Sequence, residues 1–313
     1  MDRRRHLNAK ILILCIAVFT LAGMIAWGVF EAMPHLEDEH ANLFQAQVFA
    51  SGRVTVAAPR HPASFFIPFV INSADGKRFG KYPPGYPLLL ALGVALGQPW
   101  LVNALAAALG IFGVYLLGRD LFDTDTGLLA AALGAISPMF VLLSGTLLAH
   151  ATNIAALTFF AWAFVRARRP YEARRARFAL LAGALLGLAA IIRPWTALAV
   201  AFPFALLASW DMLRSRGRDL PVYGTMALAA ALICSIQVWF NLAATGSLIA
   251  NTYTMWWTYD IVGFGLGHGR DVDGHTLRKG LSNTVLDLAE FPAGLFGWPE
   301  PSGVALAWLP MGL

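Results

Sequence analysis

Residues 11–40 read ILILCIAVFTLAGMIAWGVFEAMPHLEDEH, an apolar run followed by three consecutive carboxylates, Glu37, Asp38 and Glu39. A membrane-spanning helix needs about 20 mostly apolar residues, and residues 11–30 have this length. The run is longer than the apolar core of a cleaved signal, about 7–15 residues, and no small-x-small cleavage site follows it. We therefore predict an uncleaved anchor, with the acidic cluster just beyond its membrane exit.

The composition extends this prediction to the whole chain. Hydrophobic residues make up 58% of the 313 residues and charged residues only 13%, whereas soluble domains average roughly 45–50% apolar. The chain is thus expected to be an integral membrane protein that contacts the lipid bilayer. Its net charge of +5 comes mainly from arginines between apolar runs, a pattern that sets membrane orientation and argues against nucleic-acid binding. Cys15 and Cys234 lie inside apolar runs and offer no disulfide framework or metal site.

Further apolar runs predict an all-α polytopic protein with one transmembrane domain over residues 1–313. The last apolar segment, 303–313, is too short to span, so we expect the natural chain to continue beyond it. The candidate spans are 11–30, 100–118, 127–144, 147–165, 178–193, 195–210 and 222–243.

The sidedness of the loops depends on one short apolar run, 84–97. If this run crossed the membrane, the loop 166–177 with its six arginines would lie outside. Short loops rich in Lys and Arg stay cytoplasmic, and a run of 14 residues is too short to span. We therefore predict a re-entrant or interfacial helix there, a cytoplasmic N-terminus, and two long outer segments, 32–99 and 244–302.

Two clusters in the first outer segment could carry chemistry. Asp38 and Glu39 precede a segment with helical spacing of apolar residues, where the helix dipole favours carboxylates; a capping cluster on a solvated loop is the alternative. Lys81 and Tyr82 enter a proline-rich stretch at the level of lipid headgroups, where a cation can bind a lipid phosphate. An ordinary interfacial Lys/Tyr anchor explains them as well.

Other candidates lie at helix ends and in the second outer segment. Arg193 ends a predicted span, where it could bind phosphate or extend to the interface as a snorkelling arginine. Aromatic residues of the second outer segment could stack on a sugar or a polyprenyl chain, or form an interfacial belt. Six of the seven histidines fall on the outer side without His-x3-His spacing, which leaves a divalent metal as an alternative to hydrogen bonding with substrate. The substrate-binding candidates are Tyr82, His150, Trp256, Trp257, His268, Arg270 and His275.

The order of these motifs resembles the membrane glycosyltransferases of the C-type fold (GT-C). The resemblance rests on the acidic pair after the first span, on Lys81-Tyr82-Pro83-Pro84-Gly85-Tyr86, on the short apolar helix, and on a span ending in Leu-Gly-Arg119. Within that fold the chain is similar to the protein O-mannosyltransferase and lipid A aminoarabinose transferase group. Downstream motifs that also fit are Ile136-Ser137-Pro138, Ile192-Arg193-Pro194 and Phe240-Asn241.

The resemblance implies a helical bundle with a large first outer loop bearing interfacial helices, and an inverting transfer from a polyprenyl-phosphate-linked sugar to a hydroxyl of a protein, glycan or lipid acceptor. It assigns catalysis to Asp38, with Glu39 following, and donor-phosphate binding to Lys81 and Arg193. It also implies an active site on the outer, periplasmic face of a bacterial-type inner membrane. Three departures from the family pattern, at Asn42, Gly80 and His150, leave the acceptor and any metal open.

A non-enzymatic transporter or flippase of lipid-linked sugars is the alternative. It would share cations for a lipid phosphate and aromatic loops, but it would not need an acidic pair fixed at the outer surface. Transporters usually keep ionisable groups on their substrate path within the membrane, and among Asp, Glu, Lys, Arg and His the predicted spans contain only His150 and Arg193, each close to a span end.

The predicted sidedness can be tested at Ala173, in the arginine-rich loop. An Ala173→Cys variant with Cys15 and Cys234 replaced by serine should react with a membrane-impermeant maleimide only from the cytoplasmic side, because such loops are not translocated. Labelling of intact cells from outside would contradict the assigned orientation.

Overall fold

Helices dominate the structure, as the apolar runs predict. The computed structural model describes residues 2–170 and 172–296; the apolar segment 303–313 lies outside this range. The helices are α1 Asp2–Gly28, α2 Glu37–Ala50, α3 Gly85–Ala95, α4 Leu101–Leu121, α5 Thr124–Ala135, α6 Pro138–Ser144, α7 His150–Arg168, α8 Arg175–Ile192, α9 Pro194–Arg214, α10 Leu220–Thr245, α11 Thr252–Trp256 and α12 Leu277–Phe296.

Within the described residues, five helices are long and apolar enough to cross a membrane: α1 from Ala9 onward, α4, α8, α9 and α10. A sixth span results if α5 and α6, which meet at a bend of 65°, are counted as one. The prediction of an all-α, multi-pass membrane protein is therefore confirmed.

Two predicted spans differ from the structure. The run 127–144 is divided because Ser137 caps α6 and Pro138 occupies its first turn, where proline is tolerated but cannot continue the preceding helix. The run 147–165 forms α7, which falls outside the five because its polar residues lower its apolar character. Thr152 and Asn153 of α7 are buried, since this helix packs between α4 and α8.

The first outer segment has a feature that the sequence did not predict, a small antiparallel sheet. Its strands are β1 Val56–Ala57, β2 Val70–Asn72 and β3 Lys77–Gly80, in the order β1-β3-β2. Strands of two to four residues are too short for alternation to be recognised. Phe79 of β3 is fully buried against Phe240 of α10, so the sheet fixes the chain that leads directly into Lys81.

The short apolar helix α3 packs against α2 through Ala46, Tyr86 and Leu90. Its 11 residues end at Ala95, about 16 Å of helix and hence only half of a bilayer core. This length agrees with the predicted re-entrant or interfacial helix.

Ion pairs join several helix ends at one end of the bundle. Arg166 contacts Asp120 at 3.4 Å, and Arg168 contacts Asp211 at 2.6 Å. These pairs bring the C-terminal ends of α4, α7 and α9 together, as the predicted alternation of the helices requires. The loops predicted to share one side of the membrane therefore lie at the same end of the bundle.

Close packing of α8 against α10 depends on two glycines. A Cβ atom at Gly183 would lie 2.1 Å from the carbonyl oxygen of Met226, and one at Gly187 would lie 2.8 Å from that of Ala230. Small residues at these positions let two membrane helices approach closely enough for backbone contact. Because Arg193 directly follows the last residue of α8, this contact also determines where that arginine lies.

We expect Gly183→Ala to lower the melting temperature of the purified protein by several degrees, corresponding to about 1–3 kcal/mol of overpacking. Gly224→Ala in α10 is the matched control, because a Cβ there meets no atom within 4 Å. Equal melting temperatures for the two variants would contradict the close contact between α8 and α10.

Candidate functional site

One cavity of about 290 Å³ gathers residues from five separate parts of the chain. It lies where α8 ends, and the 18 residues of this helix place the cavity about 27 Å from the arginine-rich end of the bundle. Its walls are Asp38, Asn42, Lys81, Tyr82, Pro83, Tyr86, Leu148, Ala149, His150, Ile192, Arg193 and Tyr253. Five of the residues selected from the sequence, Asp38, Lys81, Tyr82, His150 and Arg193, thus share one space.

Asp38 lies in the first turn of α2. The hydroxyl of Tyr82 donates a hydrogen bond to its Oδ1 atom over 2.6 Å. Burial raises the pKa of Tyr82, and the hydrogen bond to Asp38 and the charge of that carboxylate raise it further. Tyr82 therefore stays protonated and acts as a donor, which holds one carboxylate oxygen and fixes the direction of the other.

Aromatic rings surround the ammonium group of Lys81, whose side chain is only 3% exposed. The Nζ atom lies 4.2 Å from the ring centroid of Phe69 and 4.5 Å from that of Trp257. The rings of Tyr253 and Tyr82 follow at 5.2 and 5.4 Å. A desolvated cation gains about 2 kcal/mol or more from a ring at such distances, so the rings hold the charge at a fixed point of the cavity wall.

The counter-ion of Lys81 comes from the second outer segment. Asp260 Oδ2 lies 3.3 Å from Nζ. Burial lowers the pKa of Lys81 because it disfavours the charged form, and the negative charge of Asp260 acts in the opposite direction. The carboxylates of Asp38 and Glu37 add weaker contributions of the same sign.

Two breaks between helices supply the remaining polar groups of the cavity. Arg193 separates α8 from α9 with non-helical φ and ψ of −141° and 85°, and Pro194 fixes the first turn of α9. His150 is the first residue of α7. Its Nδ1 atom is buried without a hydrogen-bond partner in the described part of the chain, so it is available to a ligand.

Glu39, the neighbour of Asp38, does not line this cavity. Its side chain is 1% exposed. Its Oε2 atom accepts hydrogen bonds from the backbone N–H groups of His35 and Leu36 at 2.7 and 2.9 Å, and its Oε1 atom accepts one from Leu147 at 2.6 Å. Glu39 is thus a capping-box residue that also ties the start of α2 to the turn before α7.

The same turn is held from the other side by Asn103 of α4, which is fully buried. Its Nδ2 atom donates to the carbonyl oxygens of Thr146 and Leu148 at 2.6 and 2.8 Å. Together with Glu39, it fixes the turn that carries His150 into the cavity wall.

The other candidates of the second outer segment lie outside this cavity. Trp256 packs against Phe66 and Phe69. Trp257 also lines a separate cavity of about 420 Å³, together with Arg270 and His275.

His268 contacts the carbonyl oxygen of Ile261 at 3.1 Å and lines neither cavity. The predicted set of substrate contacts is therefore divided between two places in the fold. Across the described residues, no group of three or more His, Cys, Asp or Glu side chains is arranged to hold a metal ion.

Sequence reasoning did not select Asp260, Asn42 or Tyr253 for the site. Asp260 follows the aromatic residues of the second outer segment and pairs with a lysine 179 positions away. Asn42 appeared only as a departure from the family pattern, yet it lies one helical turn beyond Asp38 and so faces the same cavity. The position of Asp260 directly after several aromatic residues could have marked it as a candidate, but the sequence does not indicate that it pairs with Lys81.

The different surroundings of the two neighbouring carboxylates predict different effects on stability. Glu39→Gln replaces one acceptor oxygen by a donor and leaves a buried backbone N–H unpaired, which we expect to lower the free energy of unfolding by about 1–3 kcal/mol. Asp38→Asn keeps an acceptor for Tyr82 and should melt like the wild type. Equal melting temperatures for both variants would contradict the structural role of Glu39.

Comparison with known proteins supplies the family. No curated protein matches the chain closely enough to be named as a relative. The family model described as dolichyl-phosphate-mannose-protein mannosyltransferase matches residues 81–240, about half of the chain. The matched region begins at Lys81 and includes His150 and Arg193, so it covers most of the cavity wall. The chain therefore belongs to the dolichyl-phosphate-mannose-protein mannosyltransferase family and is a glycosyltransferase of the GT-C type.

Proposed function

We propose that this glycosyltransferase moves a sugar from a polyprenyl-phosphate donor to an acceptor hydroxyl, with inversion at the anomeric carbon. One observation carries the proposal: the carboxylate of Asp38 and the cations of Lys81 and Arg193 line the same cavity. A base for the acceptor and positive charge for a departing phosphate are the two requirements of such a reaction.

In the proposed reaction, the acceptor oxygen attacks the anomeric carbon while Asp38 takes the hydroxyl proton. The bond between the anomeric carbon and the phosphate oxygen breaks, and its electron pair leaves with the polyprenyl phosphate. The products are the glycosylated acceptor, the polyprenyl phosphate and a protonated Asp38. Attack opposite to the leaving group accounts for inversion, and one carboxylate suffices because the phosphate leaves without protonation.

Tyr82 and His150 have supporting roles in this proposal. The Tyr82 hydroxyl holds Oδ1 of Asp38, so the other oxygen, Oδ2, receives the proton. His150 offers a buried Nδ1 without a partner among the described residues, and this atom suits a hydroxyl of the sugar. Glu39 contributes only indirectly, since its oxygens are occupied by backbone N–H groups.

The negative charge that develops on the phosphate is stabilised by Lys81 and Arg193. Cations placed in advance where charge develops are among the largest contributions to catalysis, especially away from water. Lys81 meets this condition because it is buried and held by four rings. Arg193 approaches from the break between α8 and α9.

The orientation in the membrane follows from charge. The arginine-rich loops lie at the end of the bundle remote from the cavity, and such loops stay cytoplasmic. The cavity then opens on the outer, periplasmic face of a bacterial-type inner membrane, where a polyprenyl-phosphate sugar and a protein, glycan or lipid acceptor can meet. The aromatic second outer segment lies on the same side.

We expect Asp38→Asn to reduce transfer of sugar from a polyprenyl-phosphate donor by about 10²–10⁴-fold, the usual contribution of a general base. Glu37→Gln is the matched control, because Glu37 is an exposed carboxylate in the same helical turn and should keep most of the activity. The measurement is release of polyprenyl phosphate by purified, folded protein. Retained transfer in Asp38→Asn would remove Asp38 from the mechanism.

A further inference from the structure

The ion pair between Lys81 and Asp260 joins two partners with very different access to water. The Lys81 side chain is 3% exposed and the Asp260 side chain is 36% exposed. Lys81 is also fixed by four rings and by the sheet that precedes it, whereas Asp260 lies in a segment of turns after α11. If the pair opens, Asp260 can enter water while Lys81 cannot.

A buried ammonium group is stable only beside an anion. Removing one partner of a buried ion pair is strongly destabilising, because the remaining charge is left uncompensated. A lipid phosphate beside Lys81 would be attracted by the ammonium group but repelled by the carboxylate of Asp260. It is therefore unfavourable for the phosphate and the Asp260 carboxylate to lie next to Lys81 together. Binding of an anionic ligand at Lys81 therefore has to be an exchange of one anion for another.

We propose that Asp260 is the exchangeable counter-ion of Lys81 and that the phosphate of the lipid-linked donor displaces it. This inference rests on the proposed function, which assigns the donor phosphate to Lys81. Asp260 moves outward when the phosphate enters and returns when the polyprenyl phosphate leaves. The buried ammonium group thus has an anion beside it at every stage, and the returning carboxylate assists release of the product.

The exchange also makes the site selective for charge. A neutral lipid of the same chain length cannot replace Asp260, because it would leave Lys81 unpaired. Asp260 is therefore a specificity-determining residue for the anionic headgroup, and it achieves this by competition rather than by contact with the ligand.

The test is the affinity of the purified protein for polyprenyl phosphate at pH 6.5, where a lysine that has lost its counter-ion keeps its proton more readily. Asp260→Asn should bind polyprenyl phosphate about 10-fold more tightly than the wild type, because the competing anion is gone and more of the protein is ready to bind. Binding of the uncharged polyprenol should not change. Asp271→Asn is the matched control, since Asp271 forms a 2.8 Å ion pair with Lys279 in the same segment and lines neither cavity. The affinity of this variant should equal that of the wild type.

Weaker or unchanged binding of polyprenyl phosphate by Asp260→Asn would overturn the exchange. Asp260→Ser serves as a second variant if Asp260→Asn melts early, and it should also bind more tightly. Lys81→Met separates this inference from the proposed function. If Lys81→Met weakens binding while Asp260→Asn fails to strengthen it, only the exchange is wrong; if Lys81→Met binds as tightly as the wild type, the assignment of the donor phosphate to Lys81 is wrong as well.

Discussion

The three hydrogen bonds of Glu39 to backbone N–H groups determine how the rest of the site is arranged. They fix the first turn of α2 and join it to the turn before α7. Successive residues of a helix point about 100° apart, so a fixed Glu39 directs the side chain of Asp38 elsewhere, toward the cavity. The same bonds bring His150 to the opposite wall. One buried carboxylate thus positions both a neighbouring carboxylate and an imidazole that comes from a distant part of the chain.

A second constraint is the free-energy cost of placing charged side chains inside a membrane. The bundle places its ionisable groups at the two ends, with arginines and aspartates paired at one end and the cavity at the other. Lys81 is buried among rings and depends on Asp260 for compensation of its charge. The proposed chemistry uses this arrangement, because a cation that is kept from water interacts strongly with a phosphate that enters beside it.

The sequence alone predicted the fold class, the family and five of the residues that line the cavity, which are Asp38, Lys81, Tyr82, His150 and Arg193. Counting the spans placed Asp38, Lys81 and Arg193 at the same end of the bundle, and the three residues line one cavity there. The predicted location of the acidic pair could not distinguish the role of Asp38 from that of Glu39. The difference becomes visible only in the structure, where Glu39 accepts the backbone hydrogen bonds at the start of α2. Asp260 was missed because its partner lies 179 positions away. The strands were missed because two to four residues are too few for an alternating pattern to be recognised. His268 and His275, which the sequence predicts on the outer side, do not line the cavity, because a predicted side of the membrane gives no distance between residues.

The most direct measurement is an experimental structure of the Asp38→Asn variant with a polyprenyl-phosphate sugar bound. The account predicts phosphate oxygens within about 4 Å of both Lys81 Nζ and the Arg193 guanidinium, the usual distance of an ion pair, with the anomeric carbon facing the side chain at position 38. A phosphate bound instead in the separate cavity beside Arg270, with Lys81 and Arg193 free of it, would contradict the account.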